Sequence, residues 1–355
     1  MEINKLSLEE KIGQRFIIGV NDKNIEPVIE LIKKAYIGGV VLYKKNYNNY
    51  SEMLKVIKKF KIANKNNKVP LFIAIDQEGG VVNRLPSEIH NLKSIYDISM
   101  LDNKKVKKIA NIISKILVES GINMNFAPVA DIYNNSMSKA LYKRCFYGNC
   151  NQVSKYSLQY INACNDNNLI SVIKHYPGHG ATKMDSHLMI PFVFNSKDII
   201  NNHMLPFNMA ILNGVDAIMV GHIIVKRLTG LLPASLSNKF LNKYLRSGNY
   251  NGLIISDEIN MLKRNPIYHF NYVEMFLKSI NDVILIKIKD IDDGYNIINK
   301  YKKILDNDIY VNRLDDHVGR VLSIKEKYKI DDSTTYKGIN IEEVNMEIDM
   351  INNGI

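Results

Sequence analysis

The chain has 355 residues, of which 46% are hydrophobic and 23% charged, and a formal net charge of +11 at pH 7. This composition excludes a disordered or fibrous protein, because enough apolar side chains are present to build a core. The length allows two ordinary domains or one large α/β barrel. The lysines are spread along the chain, so the positive charge does not indicate a nucleic-acid-binding face.

The N-terminal segment, the apolar runs and the cysteines of the sequence predict the cellular compartment of the protein. Residues 1–5 lack the basic start and apolar core of a signal peptide, and no apolar run reaches the roughly 18 residues that span a bilayer. The three cysteines, Cys145, Cys150 and Cys164, have neither the number nor the spacing of a disulfide framework or a zinc ribbon. We therefore expect a soluble, cytoplasmic, monomeric protein with no membrane partner.

Eight short apolar runs rich in Val and Ile follow one another along the chain, with helical periodicity between them. Helices are predicted, for example, over Lys105–Ser120, Val153–Asn165 and Gly294–Leu305. Continuously apolar strands are typical of a parallel sheet that helices cover. Eight such repeats predict an α/β fold, a single (β/α)8 TIM-type barrel over residues 1–330. The predicted strands are Arg15–Val20, Gly38–Tyr43, Leu71–Asp76, Asn123–Pro128, Ser171–Tyr176, Asp216–His222, Gly252–Asp257 and Asp282–Ile288.

Residues 331–355 differ in composition from the predicted barrel. They contain six acidic residues and one lysine. Two interpretations of this acidic C-terminal tail are open, a solvated extension or one added helix.

Polar side chains follow several of the predicted strands at the point where each strand ends. The third run leads into residues 76–80, the fifth into 174–180 and the seventh into 256–258, and the sixth ends at His222. In a TIM barrel the carboxyl ends of the strands form one face, which carries the active site. The pattern therefore predicts one polar cleft, to which Asp76, Lys174, His175 and Asp257 contribute.

Five segments of the sequence together resemble a known enzyme family. They are PLFIAIDQEGG at 70–80, GINMNFAPVAD at 121–131, KHYPGHG at 174–180 with DSH at 185–187, PASLS at 233–237 and GLIISD at 252–257. Collinear over about residues 8–328, they resemble glycoside hydrolase family 3, and most of all its single-domain β-N-acetylglucosaminidases (β-hexosaminidases) of bacterial cell-wall recycling. Two segments depart from the family pattern: Val81 replaces an arginine, and the turn Tyr147–Cys150 lacks an Asp and a Pro.

Cleavage of a glycoside needs a carboxylate beneath the anomeric carbon and a proton donor at the leaving oxygen. Asp257 closes a predicted buried strand, and the resemblance implies that it is the nucleophile of a covalent glycosyl-enzyme. The resemblance also implies that His187 is the acid–base residue. Asp185, two positions earlier, can accept a hydrogen bond from its imidazole and stabilise the charged form.

The resemblance further implies which residues bind the sugar. Charged and bidentate hydrogen-bond partners suit sugar hydroxyls. Glu78 is expected only to brace a turn, His179 to be structural, and His222 either to line the cleft or to be a buried histidine with satisfied hydrogen bonds. No ligand-spacing motif indicates a metal, and no cofactor is expected. The substrate-binding residues implied are Asp76, Arg84, Arg144, Lys174 and His175.

The function that the resemblance implies is that of a retaining exo-β-N-acetylglucosaminidase. Its expected substrates are muropeptides of peptidoglycan recycling, in which a β-1,4 bond joins GlcNAc to anhydro-N-acetylmuramic acid. The expected partner is thus a carbohydrate and not a nucleic acid. The alternatives are a family 3 β-glucosidase or β-xylosidase, a GlcNAc phosphorylase, and a catalytically decayed barrel that binds muropeptides.

Overall fold

The computed structural model describes residues 2–101, 104–133, 141–182, 190–264 and 271–353, and an eight-stranded parallel barrel lies at its centre. The barrel strands are β1 (Phe16–Gly19), β2 (Gly39–Leu42), β3 (Phe72–Ile75), β4 (Met124–Asn125), β5 (Ile170–Tyr176), β7 (Ala217–Val220), β9 (Leu253–Ser256) and β10 (Ile284–Lys287). Neighbouring strands pair in the order β10-β1-β2-β3-β4-β5-β7-β9. Backbone hydrogen bonds close the ring between β9 and β10, where Asp282 N donates to Ile254 O (2.8 Å) and Ser256 N donates to Val283 O (3.0 Å).

The predicted barrel is confirmed, and the eight predicted runs match its strands in order. Seven runs contain their strand completely, and β5 begins one residue before its predicted run, at Ile170. Alternate residues of each strand pack into two separate cores. On β3, Phe72 lies in the core inside the barrel, whereas Ile73 lies in the core between the barrel and the helices. Because both faces of every strand are covered, the strands are mostly apolar and do not alternate regularly with polar residues.

The helices surround the barrel with one apolar face turned inward. On α5, for example, Ile109, Ile113 and Ile116 are buried, at the spacing of one helix face. The helices are α1 (Leu8–Gln14), α2 (Glu26–Ala35), α3 (Tyr50–Asn64), α4 (Ile95–Leu101), α5 (Lys105–Glu119), α6 (Cys150–Asp166), α7 (Ser196–Asp198), α8 (Leu205–Leu212), α9 (Lys226–Thr229), α10 (Asn238–Tyr244), α11 (Tyr272–Leu277), α12 (Ile291–Ile304), α13 (Asp308–Lys327) and α14 (Ile341–Asn353).

Two features of the barrel ends were not predicted. A small parallel sheet of β6 (Phe192–Val193) and β8 (Ile224–Val225) lies apart from the barrel. At the opposite, amino-terminal end of the strands, α13 and the residue after it bring Val321, Ile324 and Tyr328 into the inner core. Helix α13 thus closes that end of the barrel.

The acidic tail contains helix α14, which packs against α5. Val344 and Ile348 are buried, and Lys115 of α5 pairs with Glu347 (3.2 Å) and Glu343 (3.5 Å). The described part of the tail therefore includes one added helix held by apolar and charged contacts.

None of the described helices combines the length and the apolar character needed to cross a bilayer.

Candidate active site

A cleft of about 580 Å³ opens at the carboxyl ends of the barrel strands. It is lined by six of the eight residues that the sequence proposes for the site. The other two, Asp185 and His187, lie outside the described residues. The six that the fold brings together are Asp76, Arg84, Arg144, Lys174, His175 and Asp257.

Glu78 lies at the centre of a buried charge network in the floor of the cleft. Its carboxylate accepts two hydrogen bonds from Arg144, from Nε and Nη2 at 2.8 Å each, and pairs with Lys174 Nζ at 2.7 Å. Lys174 Nζ also donates to Asp76 Oδ1 at 2.7 Å. Burial opposes ionisation of Glu78, but Lys174 and Arg144 outweigh it and lower the pKa of this carboxyl. The expectation that Glu78 only braces a turn is therefore wrong, because its side chain connects two cations of the cleft.

Arg84 reaches the cleft through a tight turn after β3. Gly80 has a φ of 59°, and a Cβ there would lie 2.6 Å from Ser94 Cα, so glycine is required. Past the turn, Arg84 N donates to Gln77 Oε1 (2.8 Å), and Tyr47 donates its hydroxyl to Arg84 O (3.0 Å). These bonds hold the backbone of Arg84 beside the strand that carries Asp76.

Lys174 and His175 are consecutive residues, and both line the cleft. In a regular strand two successive side chains point to opposite faces. Here the pairing of β5 with β7 shifts its register between Ile173 and Tyr176. Such an irregularity re-aims a side chain, which explains how both residues reach one cleft.

Asp131 is a site residue that the sequence reasoning missed. It is fully buried, accepts from His175 Nδ1 at 2.8 Å and accepts from the backbone N–H of His179 at 2.6 Å. Despite burial, His175 and His179 hold the pKa of Asp131 below its usual range. The bond orients the His175 ring, and none of the described residues forms a hydrogen bond with its Nε2. A signal was available, because Asp131 ends the segment GINMNFAPVAD at 121–131, one of the five that carry the resemblance.

Asp257 is half-buried directly after β9, and its backbone is anchored to the neighbouring strand. Asp257 N donates to Val220 O (3.0 Å), and its Oδ1 accepts from Glu258 N (2.8 Å). Burial opposes ionisation, but His175, His222 and the N–H of Glu258 lower the pKa of this carboxyl. Asp257 therefore presents an ionised carboxylate to the cleft at neutral pH.

Two further histidines lie near the cleft with different surroundings. The two ring nitrogens of His222 lie within hydrogen-bond distance of Ser235 Oγ (2.7 Å) and Glu258 O (3.1 Å). Of the two expectations for His222, the structure thus agrees with a buried histidine whose hydrogen bonds are satisfied. His179 lines the cleft, and burial lowers its pKa to about 4, so it is neutral at pH 7. Lining residues that the sequence analysis did not select include Tyr43, Glu258, Asn260, Lys263 and Lys287.

Over the described ranges, no group of three His, Cys, Asp or Glu side chains is arranged to hold a metal ion. The cleft instead combines ionised carboxylates with ammonium, guanidinium and imidazole groups. Such a set can bind hydroxyls, and Asp257 can attack an electrophilic carbon.

Comparison with known proteins identifies the family. Residues 7–324 match the glycosyl hydrolase family 3 N-terminal domain. The chain is 31% identical over 283 residues to β-hexosaminidase A of Pseudoalteromonas piscicida, covering 73% of this chain and 47% of the relative, about half its length. It is 31% identical over 255 residues to the β-hexosaminidase of Glaesserella parasuis serovar 5 (strain SH0165), covering 71% and 73%.

A solved structure agrees with this assignment. It is a glycoside hydrolase family 3 β-N-acetylglucosaminidase from Paenibacillus sp. str. FPU-7, with a TM-score of 0.88 and 26% identity. The match covers 98% of this chain and 68% of that one. The resemblance noted in the sequence is confirmed, and the chain belongs to glycosyl hydrolase family 3.

Proposed function

We propose that the chain is a retaining exo-β-N-acetylglucosaminidase, a β-N-acetylhexosaminidase that removes GlcNAc from its β-1,4 bond to anhydro-N-acetylmuramic acid in muropeptides. The observation that carries the proposal is the ionised carboxylate of Asp257, in one cleft with the hydroxyl-binding set of Asp76, Lys174 and His175. The names of the related β-hexosaminidases support the choice of sugar.

In the proposed reaction Asp257 attacks the anomeric carbon of the terminal sugar as the bond to the leaving oxygen breaks. His187, assisted by Asp185, donates a proton to that oxygen and then removes one from the water that hydrolyses the glycosyl-enzyme. Asp76, Lys174 and His175 hold the hydroxyls while positive charge develops on the sugar ring. The ionised state of Asp257 suits this role, since a protonated carboxyl is a poor nucleophile.

The first experiment replaces Asp257 by Asn and measures turnover of nitrophenyl β-GlcNAc. Loss of turnover by at least about 10³-fold with an unchanged melting temperature is expected, because an amide cannot form the glycosyl ester. The exposed Asp316→Asn is the matched control and should keep wild-type activity. A 2-fluoro sugar should label the peptide that contains Asp257. Labelling of another residue would remove Asp257 as nucleophile.

The second experiment concerns His187. In the His187→Ala variant, turnover of substrates with basic leaving groups should fall far more than turnover of activated phenyl glycosides, because only a basic oxygen needs a proton. The ratio of kcat/KM for the disaccharide and the nitrophenyl glycoside measures this. Equal losses on both substrates would assign His187 a positioning role.

Substrate choice separates the proposal from its alternatives. A GlcNAc glycoside should be preferred to the corresponding glucoside, since polar groups that meet the acetamido group stay unpaired when glucose binds. An equal or reversed preference for nitrophenyl β-glucoside would favour a β-glucosidase. Formation of GlcNAc 1-phosphate in phosphate buffer would favour a phosphorylase, and absence of all turnover a binding barrel.

A further inference from the structure

Two lysines on one wall of the cleft have no part in the reaction described above. Lys287 is the last residue of β10, and Lys263 lies in the 3-10 segment Ile259–Arg264 that follows β9. Both line the cleft, and no ion pair joins either ammonium group to a carboxylate among the described residues. Lys174 and Arg144, in contrast, are paired with Glu78.

The position of Lys287 is held by an aromatic ring and by two backbone hydrogen bonds. Its Nζ lies 4.8 Å from the ring centroid of Tyr43, a cation–π contact with an uncharged partner. Its backbone N–H donates to Glu258 Oε1 (3.1 Å), and its carbonyl accepts from Asn260 Nδ2 (2.5 Å). The aromatic ring therefore holds the ammonium group in the cleft. The Glu258 carboxylate attracts this group electrostatically but forms no ion pair with it, so its N–H donors can still contact a ligand.

The surplus of positive charge continues from this wall onto the outer surface. Lys44 and Lys45 directly follow Tyr43, are exposed, and share a smaller neighbouring cavity with Lys23. One carboxylate, Asp22, also lines that cavity. A strip of lysines of this kind raises the local concentration of anions at the mouth of a cleft.

The depth of these groups indicates which part of a substrate they meet. Lys174 and His175 in the floor are buried, whereas Lys287 is half-buried and Lys263 is exposed. A sugar seated on the floor would direct its anomeric substituent outward, toward the rim of the cleft. The ammonium groups are thus suited to contact the leaving group and not the sugar that is cleaved off.

We propose that Lys287 and Lys263 form a subsite for a carboxylate on the aglycone, and that the enzyme prefers acidic β-GlcNAc glycosides to neutral ones. The inference rests on the proposed function. A carboxylate can come from the lactyl ether of a muramic acid or from an attached peptide, and both sources offer two oxygens to an ammonium group.

The test compares kcat/KM for GlcNAc-β-1,4-N-acetylmuramic acid, the same disaccharide carrying a peptide, and neutral diacetylchitobiose. In the double variant Lys263→Met/Lys287→Met, the acidic-over-neutral ratio should fall at least fivefold, and added salt should lower the wild-type ratio. The exposed Lys289→Met is the control and should leave the ratio unchanged. If the ratio falls only for the peptide-bearing substrate, the carboxylate that the lysines bind belongs to the peptide. An unchanged ratio in the double variant overturns the subsite.

Calorimetric binding of free N-acetylmuramic acid separates this inference from the proposed function. The wild type could bind N-acetylmuramic acid but hydrolyse no disaccharide. If the double variant then lost this binding, the result would support the subsite and refute the proposed hydrolase activity. Turnover of all three substrates, with no binding difference between wild type and the double variant, would refute the subsite alone. If the wild type forms GlcNAc 1-phosphate in phosphate buffer and the double variant does not, the ligand of the two lysines is inorganic phosphate and not a carboxylate.

Discussion

Glu78 is the residue on which two cations of the cleft, Lys174 and Arg144, depend. Its side chain is 3% exposed, and the side chain of Lys174 beside it is 2% exposed. A buried ion pair is costly to break from one side, because the remaining charge loses its partner in a medium of low polarity. Glu78 therefore determines both the stability of the cleft floor and the positions of Arg144 and Lys174.

Replacement of Glu78 by Gln should lower both stability and activity. We expect the free energy of unfolding in urea to fall by about 3 kcal/mol, because Arg144 and Lys174 lose a shared counter-charge. We also expect kcat/KM for nitrophenyl β-GlcNAc to fall at least about tenfold. Glu78→Asp should restore part of both quantities. A Gln variant with wild-type stability would show that Asp76 alone suffices as the counter-ion.

At the scale of elements, helix α14 of the tail is joined to the loop that follows Arg84. Asn345, Asp349 and Asn352 lie on one face of the helix and bind residues 88–93 of that loop. Asn345 Nδ2 donates to Glu88 O (2.9 Å) and Asn352 Nδ2 to Asn91 O (3.0 Å), while both side chains also accept backbone N–H groups at 2.8 Å.

The same loop continues these contacts to the cleft. Asn91 Nδ2 donates to Gly80 O (2.7 Å), and Gly80 N donates to Leu92 O (2.9 Å). Gly80 is two residues from Glu78 and four from Arg84. Helix α14 thus supports, through hydrogen bonds, the turn that carries two residues of the cleft.

Loss of these contacts should weaken substrate binding. In the full-length double variant Asn345→Leu/Asn352→Leu, KM for nitrophenyl β-GlcNAc should rise about threefold to tenfold with a smaller change in kcat, because the turn is less well positioned before the substrate binds. The exposed Asn353→Leu, at the end of the same helix, is the control. A lower melting temperature with wild-type KM would limit α14 to a stabilising role.

At the scale of the whole molecule, stability depends on a buried lysine, Lys325, which lies where α13 closes the barrel. Lys325 Nζ donates to Gln14 Oε1 and Gly38 O, each at 2.8 Å, and lies 4.5 Å from the ring centroid of Phe72. Burial without a directly paired carboxylate among the described residues lowers the pKa of Lys325 to about 7. In the unfolded chain its pKa returns to about 10.4.

This difference predicts how stability depends on pH. Between pH 7 and about 10 the unfolded chain holds a proton that the folded protein has released, so Lys325 makes stability rise with pH. Lys325→Met should remove this contribution, which amounts to about 2 kcal/mol between pH 7.5 and 9.5. Urea unfolding at several pH values measures it, with the exposed Lys303→Met as control. If the free energy of unfolding depends on pH in the same way in wild type and in Lys325→Met, the lowered pKa of Lys325 is contradicted.

The barrel and part of its cleft could be predicted from the sequence because both depend on local patterns. A strand covered on both faces is apolar at every position, and eight such runs determine the number and order of the strands. Parallel strands end on one face, so the polar residues that follow them, such as Asp76 and Asp257, meet in one place. The motif positions and the resemblance therefore selected six of the eighteen residues that line the cleft.

The partner of each charged group was decided only by the tertiary structure. Glu78 and Arg144 are 66 residues apart, and Asp131 and His175 are 44 apart, so no spacing in the sequence relates them. Many carboxylates could pair equally well with a given cation, and burial selects one because an unpaired charge in the interior is unfavourable. The same reason applies to Lys287, whose place on the ring of Tyr43 depends on two strand ends, 244 residues apart in the chain, meeting at the mouth of the barrel.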